Sequence, residues 1–93
     1  MIIVHVSGHL RDYTGNKRQF EIPVSSAGSV ITLVQYLNQQ YPGIRDRILD
    51  DQGNTREYVN IFVNGENVRV GENQDTKLKE GDLVHILPSV AGG

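Results

Sequence analysis

Phe20-Glu21-Ile22-Pro23-Val24-Ser25-Ser26-Ala27-Gly28-Ser29-Val30-Ile31-Thr32-Leu33-Val34-Gln35-Tyr36-Leu37 decides the fold, because the hydrophobic period changes inside it. Phe20, Ile22 and Val24 alternate with Gln19, Glu21 and Pro23, the period of two expected of a half-buried strand. Pro23 has no amide to give to a ladder, so this strand belongs at a sheet edge or ends there. Val30, Leu33, Val34 and Leu37 then fall at i, i+3, i+4 and i+7, one apolar stripe of an amphipathic helix. Ser29 stands where an N-cap is needed to accept a hydrogen bond from an otherwise unpaired amide. Pro42-Gly43 stops the helix near Gln40, since proline disfavours helical geometry in the residue before it.

Upstream, Ile2, Val4 and Val6 alternate with Ile3, His5 and Ser7, which gives another strand. The segment from Ser7 to Arg18 carries Gly8, Asp12, Gly15 and Asn16 and reads as a turn-rich connection. Downstream, Ile44, Ile48 and Leu49 predict a short apolar turn packed under the sheet, and Asp50 to Thr55 a polar loop. Val59, Ile61 and Val63 form a third alternating strand. Asn64-Gly65 supplies the positive φ values of a type I′ turn, so a hairpin into Asn67–Val70 is expected. Leu78 sits in a short connection, and Gly81-Asp82 turns the chain into a last strand from Leu83 to Leu87. Two strands, one helix and then further strands define an α+β fold, with the helix on one face of a mixed sheet of four to five strands. The first and last strands should be central and parallel, as in a β-grasp. Residues 1–88 would form this domain and residues 89–93 a tail.

Composition narrows the function classes. Ninety-three residues allow one small core. The net charge is −2 with the signs interspersed, and no Lys/Arg cluster marks a nucleic-acid surface. The apolar runs are too short to span a membrane, and the start has neither a basic segment nor a signal-peptide core. A cytoplasmic location is the expectation. Cysteine is absent, so disulfides, thiol nucleophiles and thiolate metal sites are excluded.

Gly92-Gly93 follows the last strand, Pro88 and the leader Ser89-Val90-Ala91. Folding gives a terminal glycine pair little to do. Glycine has no Cβ, takes backbone angles closed to other residues and lets a partner's backbone come close. A carboxylate that must enter another protein's active site needs such slim residues behind it. Five extended residues reach at most about 17 Å, enough to thread a narrow channel while the body stays outside. A terminus that merely frays is the bland alternative.

The Val59-Asn60-Ile61-Phe62-Val63-Asn64 strand, the Leu78-Lys79-Glu80-Gly81-Asp82 turn and Val84-His85-Ile86-Leu87-Pro88 running on to Gly92-Gly93 carry a family resemblance. Joined in this order, they resemble the ubiquitin-like β-grasp sulfur carriers. That family includes the small subunit of molybdopterin synthase and the thiamin-pathway sulfur carrier. The ending from Ile86 to Gly93 and the long Ile48 to Arg56 segment look most like the carrier that feeds sulfur to a cysteine synthase. The resemblance implies a co-substrate rather than an enzyme, with no catalytic residue and no bound cofactor of its own. A partner similar to ubiquitin-activating enzymes would use ATP to adenylate Gly93, and a sulfur donor would leave a thiocarboxylate there. Val90, Ala91 and Gly92 would lie in the partner's channel. A sulfur-accepting synthase, of the cysteine synthase type or the molybdopterin synthase large subunit, would then take the sulfur. The same tail would equally suit a modifier attached to lysines, and a β-grasp binding module is a third reading.

Strand alternation also proposes a docking face. With Val59, Ile61 and Val63 inward, Phe62 points outward with Tyr58 and Asn60. With Val84 and Ile86 inward, Leu83, His85 and Leu87 share that outer side, and His5 joins them from the first strand. Phe62, His85, Leu87 and His5 are therefore the expected partner contacts, since exposed apolar clusters often mark interfaces. Other constellations lack the chemistry. His5, His9 and His85 have no ligand spacing, so no metal is expected. Asp46, Asp50 and Asp51 stand among Arg45 and Arg47 as a solvated surface, and Gly8, Gly15, Gly28 and Gly43 match no phosphate-binding loop.

Overall fold

The computed structural model describes residues 1–88. Strand β1 runs Ile2–Val6, β2 Gln19–Ile22, β3 Val59–Val63, β4 Glu66–Asn67 and β5 Leu83–Pro88, with helix α1 at Val30–Gln40 and a short helix α2 at Ile44–Ile48. The sheet order is β2-β1-β5-β3-β4. Strands β1 and β5 are parallel neighbours, with Val4 opposite Val84 and His5 opposite His85. All other pairings are antiparallel. This is the β-grasp expected from the order of periods, of the ubiquitin-like kind that the resemblance implies, with β5 in the centre of the sheet.

Helix α1 starts with a reciprocal capping box. The Thr32 amide donates to Ser29 Oγ at 3.3 Å, and the Ser29 amide donates to Thr32 Oγ1 at 2.9 Å. Two amides that the helix itself leaves unpaired are thereby satisfied. Val30, Leu33, Val34 and Leu37 are buried along the stripe. They pack with Ile2, Val4, Ile22, Ile61, Val84 and Ile86 from the inner face of the sheet into one core. Each such side chain contributes about 1.5–3 kcal/mol on full burial. The helix ends at Gln40, where Asn38 Oδ1 accepts from the amides of Gly43 and Arg45 and so joins α1 to α2. Ile44, Ile48 and Leu49 are sealed into the same core, and α2 packs against α1 and the turn Gly8–Tyr13.

Two local expectations need correction, and two others gain detail. Val24 does not continue β2: the strand stops at Ile22, and after Pro23 the residues Val24–Ser26 form a 3-10 turn. The hairpin after Asn64-Gly65 has the expected positive φ at both residues, 52° and 84°. Its return strand is only Glu66–Asn67, however, and Val68–Val70 coil into a 3-10 turn because Asn67 Oδ1 captures the Arg69 amide. Asn67 favours that local turn over a longer ladder. Val63 packs against the core on the expected side, opposite the sealed Val84, but is only half-buried. The connection after β1 carries a core residue, Leu10, sealed from solvent within the 3-10 turn Gly8–Tyr13.

Candidate functional site

The outer face of the sheet brings the expected contact residues together because the register aligns them. Gln19, His5, His85, Phe62 and Asn67 lie opposite one another in one row across all five strands. In the next position along β5, Leu87 stands opposite Asn60. The row is thus crossed at its centre by the strand that leads toward residue 89. His85 and Pro88 are three residues apart, about 10 Å along a strand.

The outer patch is less exposed than its residue types suggest. Leu87 keeps 36% of its surface in solvent, Leu83 41% and Tyr58 38%, whereas Phe62 is half-buried among its neighbours. His5 and His85 are also half-buried, with ring centroids 6.0 Å apart in an edge-to-face arrangement. His85 Nε2 and Ser7 Oγ share a hydrogen bond of 2.8 Å. That bond fixes one imidazole while the other leans on it. Beside the pair lies an open depression of about 300 Å³ bordered by His5, Ser7, Arg18, Gln19 and His85.

The β3–β5 end of this face is held by two polar clamps. Asn64 Nδ2 donates to Asp82 Oδ1 at 3.0 Å, and the Leu83 amide donates to Asn64 Oδ1 at 3.0 Å. Asp82, itself buried, also accepts from the Lys79 amide. The Asn64-Gly65 turn therefore carries a hydrogen-bond link to β5 as well as its turn geometry. On the far side, Arg69 donates to Asn60 Oδ1 at 2.9 Å and to the carbonyls of Arg56 and Glu57. Ser7, Arg18 and Arg69 were not anticipated as part of the face. Alternation put Ser7 on the side of His5 without marking it as a contact, whereas Arg18 flanks a strand and Arg69 arrives through the turn after β4, so periodicity gives no signal for the two arginines.

The remaining candidates stay apart. His9 is exposed in the turn after β1, on a different element from the imidazole pair. Among the described residues, no group of three or more His, Asp or Glu could hold a metal ion. Asp46 pairs with Arg45 at the surface, whereas the Asp50 carboxylate accepts from the amides of Gln52 and Asn54 and shapes its own loop. No helix among the described residues is long and apolar enough to cross a membrane. Val90, Ala91, Gly92 and Gly93 lie outside the described residues.

Known proteins share both sequence and shape with this chain. The sulfur carrier protein CysO of Mycobacterium tuberculosis is 36% identical over 94 residues, covering 99% of this chain and 98% of that protein. The small archaeal modifier protein 3 of Haloferax volcanii is 33% identical over 70 residues, 75% of each chain. A crystal structure of the Amycolatopsis orientalis BexX/CysO complex contains a chain that superposes with a TM-score of 0.88 at 28% identity, with all of both chains covered. Residues 4–93 match the ThiS family, and the chain belongs to that family of ubiquitin-like β-grasp proteins.

Proposed function

We propose that the protein is a sulfur carrier whose Gly93 carboxylate is activated by a partner and converted to a thiocarboxylate. The observation that carries this reading is the family match, which runs through the strand-proline-tail sequence to Gly93. The sulfur carrier CysO is similar over the same span. A carboxylate is a poor electrophile. Attack of a Gly93 carboxylate oxygen on the α-phosphorus of ATP releases pyrophosphate and leaves an acyl-adenylate. A sulfur donor then attacks the acyl carbon, AMP departs, and sulfur remains at the terminus. Splitting one hard substitution into two easier ones is the logic of covalent activation. ATP belongs to the activating partner, and this chain acts as co-substrate. Alignment and charge stabilisation come from the partner's site, which Gly92 is slim enough to let the terminus enter, with Val90 and Ala91 behind it.

The described residues offer this partner the outer face of β5 and its neighbours, with Phe62, His85, Leu87 and His5 as contacts. A cysteine-forming synthase is the favoured sulfur acceptor, on the likeness to CysO and the long Ile48–Arg56 segment. The likeness to a small archaeal modifier supports a second use, transfer of the same activated carboxyl to lysine amines. Intact-mass spectrometry after incubation with ATP, sulfide and the host's ubiquitin-activating-enzyme-like protein tests the reading. Exchange of one terminal oxygen for sulfur, lost on deletion of Gly93, is the expected result. Lysine-linked adducts alone favour the modifier, and an unchanged mass defeats both.

A further inference from the structure

The charge on the outer face does not follow the net charge of the chain. The protein carries −2 overall, yet among the described residues the two arginines that border this face have no carboxylate partner. Among the described residues, the ion pairs are Met1 with Glu80 and Arg45 with Asp46. Arg69 is held by Asn60 Oδ1 and by two backbone carbonyls, all neutral acceptors that position its guanidinium without cancelling its charge. It lies at Asn60, the residue opposite Leu87. Arg18, exposed at the other edge, borders the depression with His5, Ser7, Gln19 and His85, and no acidic residue lines that depression. Glu21 is the acidic residue that strand alternation puts on the outer side of β2, two residues from Gln19 and opposite Ile3, outside the residues that line the depression. Between the arginines run Leu87, Phe62 and the imidazole pair.

We infer that the outer face receives an acidic protein surface, with one carboxylate entering the depression between Arg18 and the His5–His85 pair and another meeting Arg69 beside Leu87. The inference rests on the docking reading above and supplies its chemistry. An apolar centre flanked by two uncompensated cations selects a partner with an apolar patch between acidic side chains. Opposite charges of this kind steer encounter and fix orientation. Two contacts on opposite edges of the sheet would also fix how the domain is oriented on its partner. Unpaired arginines so close to an apolar patch would discourage docking of a basic surface, which gives selectivity as well as attraction.

Steady-state adenylation by the host's activating enzyme, with full-length chain as the varied substrate, tests this. The wild-type KM should rise between about 0.01 M and about 0.15 M salt, as the screening length falls from about 30 Å to about 8 Å. R18E should raise KM at low salt by about tenfold, and R69Q by a few-fold, with a flattened salt dependence in each. Lys77→Glu changes net charge as much as R18E but lies beside Ser29, off this face, and should match wild type. Far-ultraviolet circular dichroism checks that R69Q keeps its fold. If Phe62→Ser raises KM while R18E and R69Q stay within about twofold of wild type, the face docks but its partner is not acidic. If Phe62→Ser also has no effect, the docking reading itself fails. An equal rise in Lys77→Glu would overturn the local assignment in favour of net charge.

Discussion

Val84 and Ile86 on the inner side of β5 are sealed from solvent, whereas Leu83 and Leu87 on its outer side keep 41% and 36% of their surface in water. The six residues of one strand thus meet two different environments, because successive side chains point to opposite faces. The inner set meets α1 and completes a core. Among the described residues no helix covers the outer set, although β5 is the central strand. Burial by its own fold accounts for Val84 and Ile86, and it leaves Leu83, Leu87 and the half-buried Phe62 without a folding role of similar weight. The difference separates what holds the domain together from what it can offer to a partner, and substitutions on the two faces should separate in the same way.

The largest effect is expected inside. Ile86→Ala removes buried methyl groups between β1 and β3 and should destabilise the domain by about 2–5 kcal/mol. Urea unfolding followed by circular dichroism measures it. A loss below about 1 kcal/mol would erase the contrast between the faces. The next effect falls on the clamp that joins them. Asp82→Ala leaves the Lys79 amide and Asn64 Nδ2 without their acceptor, and orphaned polar groups of this kind cost about 1–3 kcal/mol. The loss should be smaller in an Asn64→Ala background, because the Asn64–Asp82 bond is already gone there while the Lys79 amide is still orphaned. Full additivity in the double variant would show that they act separately.

The two faces were not equally legible in the sequence. The inner face was, because burial imposes a period: Ile2, Val4, Phe20, Ile22, Ile61, Val84 and Ile86 all point where alternation puts them, and Val30, Leu33, Val34 and Leu37 follow the helical stripe. Gly-Pro punctuation and the Asn64-Gly65 pair placed the turns. Reading failed where local hydrogen bonds outrank period. Asn67 ended β4 early, Pro23 released Val24 from β2, and Leu10 reached the core from a segment dense in turn residues. On the outer face, alternation gave the side of the sheet for His5, Phe62, His85 and Leu87. It could not give the register that puts three of them in one row, nor the arrival of Arg18 and Arg69. Those depend on which strands become neighbours, a long-range outcome with no local pattern.

A smaller effect tests the helix that closes the inner face. Ser29→Ala removes the side-chain acceptor of the Thr32 amide and should cost about 1 kcal/mol, the usual worth of an N-cap. Ser29→Thr should recover most of that loss, because the hydroxyl returns to the same place. Failure of Thr to rescue would count against capping by the hydroxyl at position 29 as the source of the loss.

The smallest change in stability is expected at Leu87, and it sharpens the comparison most. Its side chain stands on the open side of the central strand, opposite Asn60, and keeps 36% of its surface in solvent, whereas Ile86 keeps none, so replacement by serine removes less buried surface than a change at Ile86. Leu87→Ser should stay within about 0.5 kcal/mol of wild type in urea unfolding, the usual range for surface positions. Ile86→Ala, one residue away on the same strand, should lose several times more. For adenylation at a temperature where both variants are folded, the order should reverse. Leu87→Ser should raise the KM for the chain several-fold, while Ile86→Ala should leave it close to wild type. That crossing would make β5 a strand whose two faces answer to different demands. Parallel losses in both assays would instead mean that Leu87 supports the fold, and the outer face would then lose its claim to be a docking surface.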